Sequence, residues 1–149
     1  MNHVISLAFC TVLIPNVDKP SNDFDLDSYR WKNRLVLLFT EEVSNEMLNV
    51  LTLDLHKDKE GLLNQEIRVF KISKSQKIND LLSNETMWMD ENLRKELYVP
   101  ENGFYVMLMG KDGAVKFKDS NPIAREKLFA IIDAMPMRQA EMNRKNRER

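Results

Sequence analysis

The sharpest alternation of apolar and polar positions lies late in the chain. Two strand-like runs, residues 104–109 and 114–118, flank Gly110-Lys111-Asp112-Gly113. Asp and Gly accept the positive φ of a tight turn, so this stretch predicts a β-hairpin. Upstream, residues 35–39 read Leu-Val-Leu-Leu-Phe after a charged segment. An unbroken apolar run of that length predicts a strand buried on both faces. Val43, Met47, Val50, Leu51, Leu55 and Leu62 then recur with helical period and predict one apolar face. The charges at 57–60 and Gly61 are expected to fray or end that helix. Residues 67–72, rich in β-branched and aromatic side chains, predict a second strand.

From Gln76 to Leu97 the pattern predicts a broken helix anchored by Leu81, Leu82, Leu93, Leu97 and Tyr98, with Trp88, Met87 and Met89 packing it to the core and a recognition knob as the alternative. Residues 100–103, Pro-Glu-Asn-Gly, end it. After the hairpin, Ser120 or Asn121 is expected to cap a last helix, with Pro122 in its first turn. Its apolar stripe would be Ala124, Leu128, Phe129, Ile131, Ile132 and Met135. Strand, helix, strand implies a parallel pair with a right-handed crossover. The order βαβ–α–ββα therefore predicts a three-layer α/β/α domain around a mixed sheet of about four to five strands. That skeleton is thioredoxin-like: the second strand lies beside the first, the first beside the third, and the fourth at the edge.

Composition narrows the chemistry. The 149 residues, 17.5 kDa, suit a single domain. Twenty-two basic against 23 acidic residues give a net charge of −1, too little for a field that recruits nucleic acid or an anionic membrane. The one cysteine, Cys10, excludes an intramolecular disulfide, a CxxC pair and a multi-cysteine zinc site. His3 and His56 leave little for triads or metal binding, so no metal and no cofactor is expected. Four glycines in all include no phosphate-cradling motif. Asp23, Asp25 and Asp27 alternate like calcium ligands, but Ser28 and Arg34 stand where an EF-hand loop needs Gly and Glu. Glu41, Glu42 and Glu46 fit a helix start, where the dipole favours carboxylates. Trp31 among basic neighbours is expected to pack on the sheet edge, with Arg30 and Arg34 meeting local acids such as Asp27.

The ends differ from the middle. Residues 4–14 form an 11-residue apolar run, too short for a bilayer span but suited to the core of a signal peptide. Residues 1–20 are therefore read as a signal peptide or lead, and the expected location is periplasmic or extracellular, with a cytoplasmic protein as the alternative. Residues 21–136 form the domain. Residues 137–149, with five basic and two acidic side chains, read as a solvated basic helical tail following Pro136.

Three stretches carry a family resemblance. Residues 29–39, Tyr-Arg-Trp-Lys-Asn-Arg-Leu-Val-Leu-Leu-Phe, the turn at 110–116, and residues 128–139, Leu-Phe-Ala-Ile-Ile-Asp-Ala-Met-Pro-Met-Arg-Gln, resemble the domain of unknown function 4174 family. This is the peroxiredoxin-like DUDES domain of sushi-repeat and related extracellular-matrix proteins. Its signature falls here on Arg30, Trp31, Asn33 and Arg34, on Gly110, Lys111, Asp112 and Gly113, and on Asp133, Met135, Pro136, Met137 and Arg138. The resemblance implies a thioredoxin-like fold and frequent export. It brings no established activity, and it makes a protein or glycan the first partner to consider.

Thioredoxin-like enzymes place a thiolate just after the first core strand, at a helix start. Here residues 40–46 read Thr-Glu-Glu-Val-Ser-Asn-Glu, without a cysteine, and Cys10 lies some 30 residues upstream. The cis-proline position falls near Tyr105, and Pro100 is too far away. No catalytic residue is expected. A vestigial groove remains, formed by Thr40, Glu41, Ser44 and Asn45 and faced by Gly103, Phe104 and Tyr105, because ligands gather at strand C-terminal ends. The alternatives are an oxidoreductase borrowing a thiol or cofactor, and anion binding through the basic C-terminal helix. The oligomeric state is left open.

Overall fold

A computed structural model describes residues 23–41 and 45–149. The apolar run at 4–14, Cys10, Val43 and Ser44 lie outside the described residues. The centre of the sheet is β1 (Arg34–Phe39), all six residues of which are buried, as its unbroken apolar run requires. Even-numbered Val36 and Leu38 face one core; Leu35, Leu37 and Phe39 face the other. Beside it β2 (Ile67–Ile72) runs parallel, from Arg34↔Ile67 to Phe39↔Ile72. On its other side β5 (Tyr105–Met109) runs antiparallel, and β6 (Val115–Asp119) closes that edge as the hairpin partner. These four strands stand in the expected order.

Among the described residues the sheet has six strands, two more than the four strand-like runs. Residues read as broken helix form β3 (Lys77–Asp80) and β4 (Thr86–Trp88), extending the sheet in the order β4-β3-β2-β1-β5-β6. The reason is local. Ile78 and Asp80 are buried with a period of two. The Asp80 carboxylate accepts from the Leu82 and Ser83 N–H groups at 2.8 and 3.4 Å, and Asn84 turns the chain at φ 59°. An Asx-type turn thus outcompetes helix at the Leu81-Leu82 pair. Only α3 (Leu93–Glu96) remains of the helix.

The crossover is split into α1 (Glu46–His56) and α2 (Lys59–Asn64). Asn45 caps the first through its side chain, at 2.9 Å to the Met47 N–H, and Asp58 caps the second at 2.8 Å to the Gly61 N–H. The charged run therefore ends α1, as expected, and Asp58 at once starts a new helix. Leu48, Leu51, Leu55 and Leu62 face the core, whereas Met47 and Val50 are exposed. The buried stripe is thus rotated from the expected face.

The last helix in the core is α4 (Arg125–Asp133), burying Leu128 and Ile132. Neither Ser120 nor Asn121 caps it, and Ala124 is exposed outside it. Asp119 holds Asn121 in a turn at 2.9 Å, and Asp54 of α1 accepts from the Arg125 N–H at 3.0 Å. Finally α5 (Pro136–Arg147) begins on its proline.

Helices α1, α2 and α4 cover one face of the sheet. The other is covered more thinly, by a 3₁₀ turn (Leu26–Tyr29), α3 and their flanking apolar residues. Phe24, Tyr29 and Phe70 pack their rings together there, at centroid distances of 4.9 to 5.7 Å. Among the described residues no helix is long and apolar enough to cross a membrane.

Candidate functional site

Parallel β1 and β2 end together, and the chain leaves the sheet at Thr40. Thr40 is fully buried, and its N–H donates to the Ile72 carbonyl at 3.0 Å. Glu41 is exposed and reaches across the junction, where its carboxylate accepts from the Gly103 N–H. Gly103 sits at φ +87°, a backbone conformation that suits glycine. Tyr105 opens β5 opposite Phe39. Thr40, Glu41, Gly103 and Tyr105 thus meet at one end of the sheet. Asn45 does not face the groove as a free group, since its side-chain oxygen caps α1. Phe104 turns into the core instead.

The same junction holds a residue with no sequence signal, Arg94. Its guanidinium lies 5.2 Å from the centroid of the Phe39 ring. It donates to the Pro100 carbonyl at 3.4 Å, while its Nε and second terminal nitrogen are buried without a partner. Burial pulls its pKa below the ordinary value, against the opposing charge of Glu41. The junction therefore presents a carboxylate, a guanidinium and a buried hydroxyl residue. Among the described residues no group of three His, Cys, Asp or Glu side chains is placed to hold a metal ion.

The signature residues converge at the opposite end of the sheet. Arg34 starts β1 and is 1% exposed. Its guanidinium grips Glu141 of α5 at 3.2 and 3.3 Å and donates to the Gln65 carbonyl at 2.9 Å. Lys111, from the hairpin turn, donates to Glu141 at 2.8 Å and also to Glu66. Arg138 is buried, donating to Asp133 at 3.1 Å and to the Asn64 carbonyl at 3.3 Å. Burial pushes the Glu141 carboxyl up, but hydrogen bonds from Lys111 and Arg34, with their charges, outweigh it and hold the pKa below 4.5.

The turn residues serve the same junction. Asp112 takes the Ala114 N–H at 3.1 Å and Lys116 at 2.7 Å, while Gly113 adopts φ +79° against the Arg30 side chain. Gly110 closes the turn with its N–H on the Ala114 carbonyl at 2.9 Å. Asn33 donates to the Glu66 carbonyl at 3.4 Å. Met135, Pro136 and Met137 make the bend from α4 into α5 and line a cavity of about 220 Å³ with Arg34, Lys111 and Lys116.

Three expectations are corrected here. The segment after Met137 is not simply a solvated tail, because Glu141 locks α5 onto β1 and the hairpin while Arg138 ties it to α4 and α2. Arg30 does pair with Asp27, at 3.3 Å, but Arg34 turns inward to Glu141. Trp31 does not pack on the sheet edge: it is 64% exposed, at φ +64°, its N–H donating to the Lys111 carbonyl at 2.7 Å. Glu141 escaped the sequence reading because its partner is 107 positions away. The i, i+3 spacing from Arg138 was its one local signal.

The model of a family described as a domain of unknown function (DUF4174) matches residues 25–141. No curated protein matches the chain. Among solved structures it is similar to the mitochondrial 2-Cys peroxiredoxin of Plasmodium falciparum, with 19% identity over 74% of this chain and 80% of that one and a TM-score of 0.52. The reduced 2-Cys peroxiredoxin of Plasmodium vivax aligns at 15% identity over 78% and 85%, with a TM-score of 0.55. Thioredoxin peroxidase I of Plasmodium yoelii aligns at 13% identity over 77% and 79%, with a TM-score of 0.54. At such identities the likeness shows the fold, a thioredoxin/peroxiredoxin-like domain, and nothing of its chemistry.

Proposed function

The chain belongs to the DUF4174 family, a domain of unknown function, and on that premise we propose that it is an exported binding or scaffold module, non-catalytic in itself. The observation that carries this reading is the junction after β1. A nucleophilic thiol needs free N–H groups and positive surroundings to ionise. Here residues 40–46 contain no cysteine and three glutamates, and the Glu41 carboxylate already occupies the Gly103 N–H of the facing loop. A thiol brought there would meet the Glu41 carboxylate, which raises its pKa, opposed by the Arg94 guanidinium, whose charge Glu41 partly offsets. Binding by surface complementarity needs none of this chemistry. Export rests on the apolar run at 4–14, and a protein or glycan partner on the family's extracellular-matrix members.

Insulin reduction and peroxide consumption, measured on the full chain and on Cys10→Ser, test the reading. The expected result is turnover at the level of buffer for both. Turnover that disappears with Cys10→Ser overturns it in favour of an oxidoreductase.

A further inference from the structure

A cavity of about 460 Å³ opens on the thinly covered face of the sheet, at the end away from Thr40. Its floor is apolar, made by Phe24, Leu35, Leu93, Leu97 and Met109 together with the ring of Tyr29. Among the described residues, four carboxylates line it as well, Asp25, Asp27, Asp90 and Glu96, against the single cation Arg30. We propose that this cavity binds an organic cation, an ammonium group carried on an apolar body.

The volume lies within the usual range for small-molecule sites, and an apolar floor with a few polar groups is the usual lining. The floor buries the apolar body. Phe24 and Tyr29, ring centroids 5.7 Å apart, both line the cavity and add aromatic surface to its floor. Around them a surplus of carboxylates over apolar walls concentrates negative potential, in a chain whose net charge is only −1. Local structure accounts for part of these carboxylates. Asp25 accepts the Asp27 N–H at 3.0 Å, and Asp90 accepts the Asn92 N–H at 2.8 Å. Each such bond uses one oxygen, and a carboxylate has two. The Asp27–Arg30 pair is solvent-exposed and of little energetic worth, so Asp27 can turn to a ligand at small cost. A carboxylate ligand would meet the same rim as repulsion. The inference is independent of the junction at Thr40, and holds whether or not the chain turns over peroxide.

Titration of the ¹⁵N-labelled full chain with phenethylamine and, separately, with phenylacetate tests it, since the two share a body and differ in charge. The amine is expected to shift the amides of Phe24, Arg30, Leu93 and Leu97 saturably, more weakly at high salt, and the acid to leave them in place. In the double variant Asp27→Asn, Glu96→Gln the dissociation constant should rise about five- to tenfold, as removal of two solvent-exposed charges implies. An acetylated and amidated Leu-Lys-Leu tripeptide, run in parallel, separates a lysine side chain from a free amine as the source of the cation. Equal shifts from amine and acid, or no saturable shift at these amides from either amine or tripeptide, would overturn the proposal. The contrast on the parent chain decides this even where the double variant fails to fold.

Discussion

Glu141→Gln perturbs one carboxylate oxygen and should loosen a whole helix. Glu141 is 16% exposed and accepts three hydrogen bonds from cations, two from Arg34 and one from Lys111. Glutamine preserves the shape and one acceptor but removes the charge. Arg34, 1% exposed, then shares the one remaining side-chain oxygen with Lys111 and keeps the Gln65 carbonyl, while Lys111 keeps Glu66. Breaking a buried pair from one side costs about 3–5 kcal/mol, and the retained acceptors reduce this to about 2–4 kcal/mol. For a domain of this size that is a fall in Tm of about 10 °C. The pH dependence has a definite sign. The Glu141 pKa is depressed in the folded state, so its contribution is fully present above the ordinary value of 4.5 and is lost as pH falls through the folded value. Urea unfolding followed by circular dichroism at pH 7 and pH 3 reads both effects. The gap between parent and variant should be wide at pH 7 and narrower at pH 3. A cost below about 1 kcal/mol at pH 7, or a gap unchanged at pH 3, would refute the view that this ion cluster clamps α5.

The rotated face of α1 separates two neighbouring leucines: Leu51→Ala should cost about 2–5 kcal/mol in urea unfolding, and Leu53→Ala, 65% exposed, less than about 0.5. Gly113→Ala places a Cβ 2.9 Å from the Arg30 Nε at φ +79°, and should lower stability by about 1–2 kcal/mol in the same assay. Asp80→Asn leaves Arg68 without its charge partner and weakens the turn into β4; a loss of about 2–4 kcal/mol is expected, with amide exchange accelerated first at residues 77–88.

What was legible in the sequence was what hydrophobic period controls. The unbroken run at 35–39 became the doubly buried β1, and Asp112-Gly113 became the β5–β6 turn. The pair β3–β4 was not legible, because its register rests on one buried carboxylate, Asp80, in a segment whose leucines read as helix. The face of α1 was misread because Met47 and Val50 count as apolar although they point to solvent. Of the groove, Thr40, Glu41, Gly103 and Tyr105 could be placed from strand ends alone, whereas Arg94 arrives through tertiary packing on Phe39. The signature positions were visible as a pattern; that three of them, Arg34, Lys111 and Arg138, share one carboxylate, Glu141, needed three dimensions.

The claim that this fold is used without its thiol is tested most directly at Cys10 itself. Full chain is given a brief pulse of hydrogen peroxide, quenched, and the oxidation state of Cys10 followed by intact mass. The account predicts sulfenic acid formation no faster than for free cysteine under the same conditions. Oxidation of Cys10 at the rate of an activated thiolate, complete within the pulse while free cysteine remains reduced, would contradict it.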